Sequence, residues 1–349
     1  MKCTDNNCFG RTLPKYSKAF AAFVAAGILL CGGCGTKTYE FEHPYDVYGT
    51  SIHYLRPQTD SDDDDSDAIW ESAASDTIPF FAQELCVGEI TQTGAENIDA
   101  SAAQAAGVFC PDEGTISYAK NIYEKLYPAS TTKILTAYLA CKYGDLTDTI
   151  TVSEQAANQA GDSSVCGLKA GDRLTLEELL YGLLLESGND AAVAIAEHIS
   201  GSMQNFAVLM NEEAAALGAT HSHFTNPHGL HDEEHYTTVY DLYLLLQAAM
   251  RYEPFETIAH TAKHTASYRN ASGETITQEW ETTDKFLTGE VSVPDGVTVL
   301  GGKTGTTNAA GYCLALYGKN AAQKLRISIV MKADTSESLY TLMTELIKQ

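Results

Sequence analysis

The stretch Tyr127-Pro128-Ala129-Ser130-Thr131-Thr132-Lys133 runs directly into the apolar segment Ile134 to Tyr143. The Pro-Ala pair suits a helix entry, and the apolar residues predict a helix buried on most of its surface. Residues three apart on a helix share a face, so Ser130 and Lys133 are expected to be neighbours. A serine becomes an effective nucleophile when a base takes its proton, and a lysine can be that base if burial or a nearby cation destabilises its ammonium form. The stretch therefore predicts a helix start that carries a nucleophile and its base.

The same spacing of serine and lysine occurs a second time, at Ser117 and Lys120. These residues belong to Thr115 to Tyr123, which with Ala105 to Cys110 is predicted to form two strands around a turn. Residues three apart on a strand point to opposite faces, so this second pair cannot work together. A serine at a helix start followed by a surface lysine is also a common structural arrangement, so the Ser130 pair needs support from elsewhere in the chain.

Two later segments supply that support. Ser187-Gly188-Asn189 lies between the predicted helix Leu176 to Glu186 and a further helix, and Lys303-Thr304-Gly305-Thr306 follows the strand-like run Val297 to Leu300. Each segment is common by itself. In this order and in these contexts, the three motifs match the active-site set of the serine enzymes that react with penicillin.

The remaining periodicity predicts an α+β fold. Strand-like runs lie near both ends of the region, and helices occupy the middle, so we expect one antiparallel sheet built from both chain ends and packed by helices, with an all-helical subdomain between. The further predicted helices are 191–199, 203–217, 237–252 and 336–348, and the further strands are 297–303, 312–317 and 325–331.

On these residues the chain resembles the low-molecular-mass penicillin-binding proteins, which are serine-type D-alanyl-D-alanine carboxypeptidases of the β-lactamase / DD-peptidase-like fold. The resemblance runs from about Leu85 to the C-terminus and includes the strings at 127–133, 167–172, 187–192, 226–230 and 302–307. It implies hydrolysis of the terminal D-Ala-D-Ala bond of peptidoglycan stem peptides, covalent inhibition by β-lactams, and no cofactor.

The resemblance also implies roles for individual residues. Ser130 would be the acyl-ester nucleophile, Lys133 its general base, and Ser187 a proton relay to the leaving D-alanine. Asn189 would hydrogen-bond the substrate amide and help to fix Lys133. Lys303, a second cation at the site, would help to keep Lys133 neutral and attract the substrate carboxylate.

Two threonines complete the implied site. The Thr306 N–H, with that of Ser130, would form the oxyanion hole, and the hydroxyls of Thr304 and Thr306 would lie where the carboxylate binds. The loop of His228 would have a structural role. The sequence departs from the family at Thr282 to Leu287, where relatives carry an Asn-rich segment.

The N-terminal part predicts export. Positively charged residues precede an apolar run from Ala19 to Leu30 and then Cys31-Gly32-Gly33-Cys34, which resembles a lipoprotein box with Cys34 as the lipidated residue. An uncleaved signal anchor and simple secretion are the alternatives. Many relatives add a C-terminal β domain and a membrane anchor, whereas this sequence ends at Gln349 after one predicted helix, so any membrane attachment is expected at the N-terminus.

Charge and composition set further limits. Acidic residues outnumber basic ones 46 to 22, which argues against a nucleic-acid partner. We expect a signal segment at 1–34, a flexible acidic linker at 35–80 and a catalytic domain at 81–349. The aspartate run in the linker lacks the glycine and distal glutamate of a calcium loop. The cysteines show no disulfide framework and the histidines no zinc spacing, so most cysteines are expected in the core and no metal site is expected.

Two other functions are compatible with the motifs. A class A β-lactamase shares all three, but it also uses a Glu-x-x-Leu-Asn string, which is absent between Asn189 and Lys303. A surface lipoprotein that binds cell-wall peptide without catalysis would have no need for Ser130, Lys133 and Lys303 together.

Overall fold

The structure is a computed structural model that describes residues 85–86, 98–161 and 163–349. The predicted signal segment, Cys34 and the acidic linker lie outside these residues, so their boundaries stay predictions.

The main sheet joins the two ends of the described region. Its five antiparallel strands have the order β2-β1-β9-β8-β7. Strand β1 pairs with β2 on one side and with β9 on the other, so the first hairpin completes a sheet made mostly of the last three strands. The predicted sheet from both chain ends is confirmed. The strands are β1 (Ala103–Cys110), β2 (Thr115–Lys120), β7 (Thr298–Thr307), β8 (Gly311–Lys319) and β9 (Leu325–Ala333).

The helices pack on both faces of this sheet. Alternate residues of β1 show this, because Ala105 and Phe109 belong to the large core under the helical region, while Ala106 and Val108 belong to a smaller core with the C-terminal helix. The helices are α1 (Lys133–Tyr143), α2 (Glu154–Ala157), α3 (Leu176–Leu184), α4 (Asn189–Ser200), α5 (Met203–Ala216), α6 (Val239–Ala249), α7 (Glu253–His260) and α8 (Ser336–Leu346).

Helix α1 is the central helix of the larger core. Every residue from Lys133 to Ala140 is buried, as the nearly continuous apolar sequence predicts. The predicted start of α3 is also confirmed, because the Thr175 side chain accepts the Glu178 N–H at 3.1 Å and so caps the helix.

The region between the chain ends is not all-helical, and that prediction is wrong. It contains a second antiparallel sheet of four strands in the order β3-β4-β5-β6. Strands β3 and β4 are only three residues long, and the β5–β6 hairpin is mostly exposed and polar, with Ala266, Tyr268 and Trp280 as its buried side chains. Segments this short or this polar give little periodicity. The strands are β3 (Thr149–Thr151), β4 (Arg173–Thr175), β5 (Lys263–Arg269) and β6 (Thr275–Glu281).

The five cysteines in the described region are all unpaired, and all but Cys141 are buried, which agrees with their predicted place in the core. None of the helices in this region is long and apolar enough to cross a membrane.

Candidate active site

Ser130 lies in a 3-10 helix, Ala129–Thr132, that leads directly into α1. Ala129 has a left-handed φ of 48°, a strained conformation for a residue with a side chain. The loop residue Gly229 packs so closely beneath it that a Cβ on Gly229 would lie 1.8 Å from the Ala129 carbonyl oxygen. The loop at 226–230 therefore supports the backbone that presents Ser130.

Lys133 is completely buried and contacts three groups at once. Its Nζ lies 3.0 Å from Ser130 Oγ, 2.7 Å from Asn189 Oδ1 and 2.9 Å from the His228 carbonyl oxygen. An ammonium donates to all three, whereas a neutral amine donates to the two acceptors and accepts the Ser130 hydroxyl proton with its lone pair. The contacts therefore point the lone pair of a neutral Lys133 at Ser130.

The electrostatics favour that neutral form. Burial lowers the pKa of Lys133 well below its usual range, and the positive charge of Lys303 lowers it further. Burial also lowers the pKa of Lys303, to about 7, and the carboxylate of Asp284 opposes this change. The pKa of Asp284 is itself raised by burial to about 6. The site thus contains two buried lysines, and each has a depressed pKa.

Strand β7 brings the third motif to Ser130. A Cβ on Gly305 would lie 2.9 Å from the backbone nitrogen of Ser130, so the strand touches the 3-10 helix through a glycine. Thr304 and Thr306 line the same cleft as Ser130, and the Thr304 hydroxyl is hydrogen-bonded to that of Thr283 at 2.5 Å. Lys303 is 1% exposed, and its Nζ donates to the Thr304 carbonyl oxygen at 3.0 Å.

The second motif forms the connection between α3 and α4. Ser187 has a left-handed φ of 57° and lines the cleft with Ser130, while Asn189 begins α4. The carboxylate of Asp190 accepts the N–H groups of Cys166 and Leu168 at 2.9 and 3.0 Å. This buried carboxylate ties the loop before β4 to the start of α4, a role that no motif indicated.

Two open clefts meet at Ser130. One, of about 630 Å³, runs past Ser187 and Thr304, and the other, of about 1160 Å³, runs past Asn189 and Leu230. The groups on both sides of a bond attacked by Ser130 therefore each have a cleft to occupy.

The two buried histidines near the site have structural surroundings. Burial lowers the pKa of His228 to about 3, and the group that reaches Lys133 is its backbone carbonyl, in agreement with the expected structural role of that loop. His235, which the sequence did not single out, lies 2.9 Å from Thr132 Oγ1 through Nε2 and accepts the Thr225 N–H at 3.1 Å through Nδ1. It joins the loop that contains His228 to the 3-10 helix.

The second serine–lysine pair is separated from this site. Both residues lie on strand β2, and the Lys120 ammonium donates to the carbonyls of Ala100 and Ala103, each at 2.6 Å. The prediction that Ser117 and Lys120 do not act as a pair agrees with this placement.

The fold and the arrangement of serine, lysine and β7 define the DD-peptidase class. The crystal structure of the Streptomyces K15 DD-transpeptidase is similar with a TM-score of 0.65 and 30% sequence identity, over 70% of this chain and 95% of that one. The model of the D-alanyl-D-alanine carboxypeptidase family matches residues 91–335. The chain belongs to this family.

Curated relatives agree in sequence. The D-alanyl-D-alanine carboxypeptidase DacF of Bacillus subtilis is 34% identical over 251 residues, which cover 70% of this chain and 61% of the relative. DacC of Escherichia coli is 35% identical over 62% of this chain and 52% of the relative. The carboxypeptidase of Streptomyces sp. strain K15 is 31% identical over 69% of this chain and 85% of the relative. The match thus spans about half to three fifths of the first two relatives.

Proposed function

We propose that this chain is a serine-type D-Ala-D-Ala carboxypeptidase that hydrolyses the terminal bond of peptidoglycan stem peptides and so limits cell-wall cross-linking. One observation carries the proposal: Ser130 Oγ lies 3.0 Å from the Nζ of Lys133, a fully buried lysine with a depressed pKa. Burial and the charge of Lys303 favour the neutral form of this lysine, which can take the proton of the serine.

In the first half-reaction, Ser130 Oγ attacks the carbonyl carbon of the penultimate D-alanine, and Lys133 takes the hydroxyl proton. The N–H groups of Ser130 and Thr306 would stabilise the negative oxygen of the tetrahedral intermediate. When the C–N bond breaks, Ser187 would pass the proton from Lys133 to the leaving amine. The product is D-alanine and an ester on Ser130.

In the second half-reaction, water attacks the ester carbonyl, a base takes one proton of the water, and Ser130 Oγ leaves and is reprotonated. Lys133 is the residue beside Oγ that can serve as this base, since it is neutral again after D-alanine departs. Asn189 would hold Lys133 in both halves, because its Oδ1 accepts from Nζ at 2.7 Å.

The substrate carboxylate would be bound on the β7 side of Ser130. The hydroxyls of Thr304 and Thr306 line that cleft, and Lys303 beneath it would supply positive potential. The same features would bind a β-lactam, whose ring carbonyl would then acylate Ser130.

Labelling with fluorescent penicillin tests the nucleophile. We expect a stable covalent adduct on the wild-type protein and none on Ser130→Ala, while Ser117→Ala, from the other serine–lysine pair, labels normally. Labelling that survives Ser130→Ala would refute the assignment. Rapid release of hydrolysed penicillin from the wild type would indicate a β-lactamase instead.

D-Alanine release from a pentapeptide stem tests the reaction itself. We expect release by the wild type and by Lys120→Ala, and a loss of at least about 1000-fold in Lys133→Ala, because the base and the lysine contacts disappear together. Normal release by Lys133→Ala would remove Lys133 as the base, and no release by the wild type would leave a cell-wall-binding role.

We also propose that the protein acts outside the cytoplasm and is attached to the membrane through its N-terminus, with lipid on Cys34 and residues 35–80 as a tether to the catalytic domain. The support is the sequence pattern of the first 34 residues and the acidic run that follows. Metabolic labelling with palmitate should mark the wild type and not Cys34→Ala. Equal labelling of both would contradict lipidation at Cys34.

A further inference from the structure

The cleft on the β7 side of Ser130 continues beyond the threonines. Its wall includes Thr283, Lys285 and Tyr340, which come from the segment before β7 and from α8. Lys285 and Tyr340 also line an adjoining cleft of about 780 Å³, whose rim includes Glu337. Lys285 therefore lines both the cleft that contains Ser130 and the cleft that adjoins it.

Lys285 is the one lysine or arginine among the residues that line the Ser130 cleft. Lys303, the other cation nearby, is 1% exposed and donates to the Thr304 carbonyl oxygen, and it is not part of the cleft wall. A ligand anion in this cleft thus finds its accessible cationic partner at Lys285.

The backbone of Lys285 is fixed although its side chain is half-buried. Its N–H donates to the Tyr340 hydroxyl at 3.0 Å, and its carbonyl accepts the Val291 N–H at 2.9 Å. The preceding residue, Asp284, is buried and accepts the Phe286 N–H at 3.0 Å, which closes the turn. The position of Lys285 is therefore set by the fold.

The ammonium of Lys285 is available to a ligand. It lies 5.6 Å from the centre of the Tyr340 ring, and no described carboxylate forms an ion pair with it. Contact with an aromatic face holds a lysine loosely and leaves its hydrogen-bond donors free. The neighbouring hydroxyl pair, Thr283 and Thr304, gives the same wall polar groups that suit a carboxylate.

We propose that Lys285 binds the carboxylate of the leaving D-alanine and so determines the preference of this enzyme for a free C-terminus. This proposal rests on the proposed carboxypeptidase function. It adds to that function a charged contact from the segment at 282–287, which precedes β7.

A pair of substrates isolates this contact. Nα,Nε-diacetyl-L-lysyl-D-alanyl-D-alanine carries the carboxylate, and its C-terminal carboxamide does not. With the full-length protein, we expect Lys285→Gln to lower kcat/KM for the acid about 10- to 100-fold, the usual size for a charge-assisted contact, and to change kcat/KM for the amide less than threefold. Lys285→Arg should keep most of the activity on the acid.

Lys319→Gln serves as the matched control, because Lys319 is exposed at the end of β8 and lines neither cleft at Ser130. It should leave both substrates unchanged.

Three results would overturn the inference. An equal loss on acid and amide in Lys285→Gln would mean that Lys285 supports the fold rather than the carboxylate. Wild-type values of kcat/KM for both the acid and the amide in Lys285→Gln would mean that Lys285 does not contact the substrate. If the wild type releases no D-alanine from the acid, the proposed function fails, and this inference fails with it; the first two results leave that function intact.

Discussion

Acid should weaken this protein through His235, the buried histidine that joins the loop at 225–231 to the 3-10 helix. Its Nδ1 accepts the Thr225 N–H, so the neutral ring carries its proton on Nε2 and donates it to Thr132 Oγ1. A protonated ring would have two donors, and the Thr225 N–H would lose its acceptor. Burial accordingly lowers the pKa of His235 from 6.5 to about 4.

The sign of the effect follows from the two pKa values. Between pH 6.5 and about 4 the unfolded chain binds the proton and the folded protein does not, so stability is lost as the pH falls through this window. At roughly 1.4 kcal/mol for each pH unit, the full window is worth about 3 kcal/mol. By pH 4.5 the loss from His235 alone should reach about 2 kcal/mol.

The assay is urea unfolding of the wild type and His235→Gln at several pH values from 7.5 to 4.5. The glutamine amide keeps a donor for Thr132 but does not titrate, so the variant should start less stable and then lose about 2 kcal/mol less than the wild type on acidification. As a control at an exposed histidine, His260→Gln should lose the same free energy of unfolding as the wild type on acidification. Parallel curves for His235→Gln and the wild type would refute a depressed pKa at His235.

Three further predictions concern the same site. Lys303→Met removes a positive charge that lowers the pKa of Lys133, so the pKa of Lys133 should rise. The acid limb of the pH profile for penicillin acylation should then move to higher pH. An acid limb at the wild-type pH would show that the two lysines are not coupled. Gly229→Ala places a Cβ 1.8 Å from a backbone oxygen and should destabilise the protein by more than about 3 kcal/mol in thermal unfolding. The control Gly273→Ala, which has a similar positive φ of 84° and open space around it, should cost only about 1 kcal/mol, and equal losses would contradict the steric argument. Asp190→Asn weakens the acceptor of two loop N–H groups and should cost about 2–4 kcal/mol in denaturant unfolding; wild-type stability would show that the loop needs no such anchor.

Local sequence patterns were sufficient for the parts of the site that depend on neighbouring residues. Helical spacing placed Ser130 next to Lys133, and strand spacing excluded Ser117, because both patterns are consequences of backbone geometry over a few residues. The main sheet was also predictable, since strands such as β1 and β9 are apolar and lie at the two ends of the region.

The second sheet was not predictable in the same way. Its four strands are short or mostly exposed, so they carry little hydrophobic periodicity, and their pairing joins residues such as Arg173 and Arg269 that lie far apart in the chain. Only packing against the rest of the fold makes these segments into strands.

The amino-acid sequence was enough to name the candidate residues for the chemistry: a serine, two lysines and the short motifs around them. The surroundings of those residues come only from the tertiary structure. The carbonyl of His228 reaches Lys133 across 95 residues of chain, and His235 reaches Thr132 across 103. The depressed pKa of Lys133 arises from burial and from Lys303, and neither exists until distant segments fold together. Spacing along the chain encodes local geometry, whereas desolvation and long-range contacts depend on how the whole chain packs.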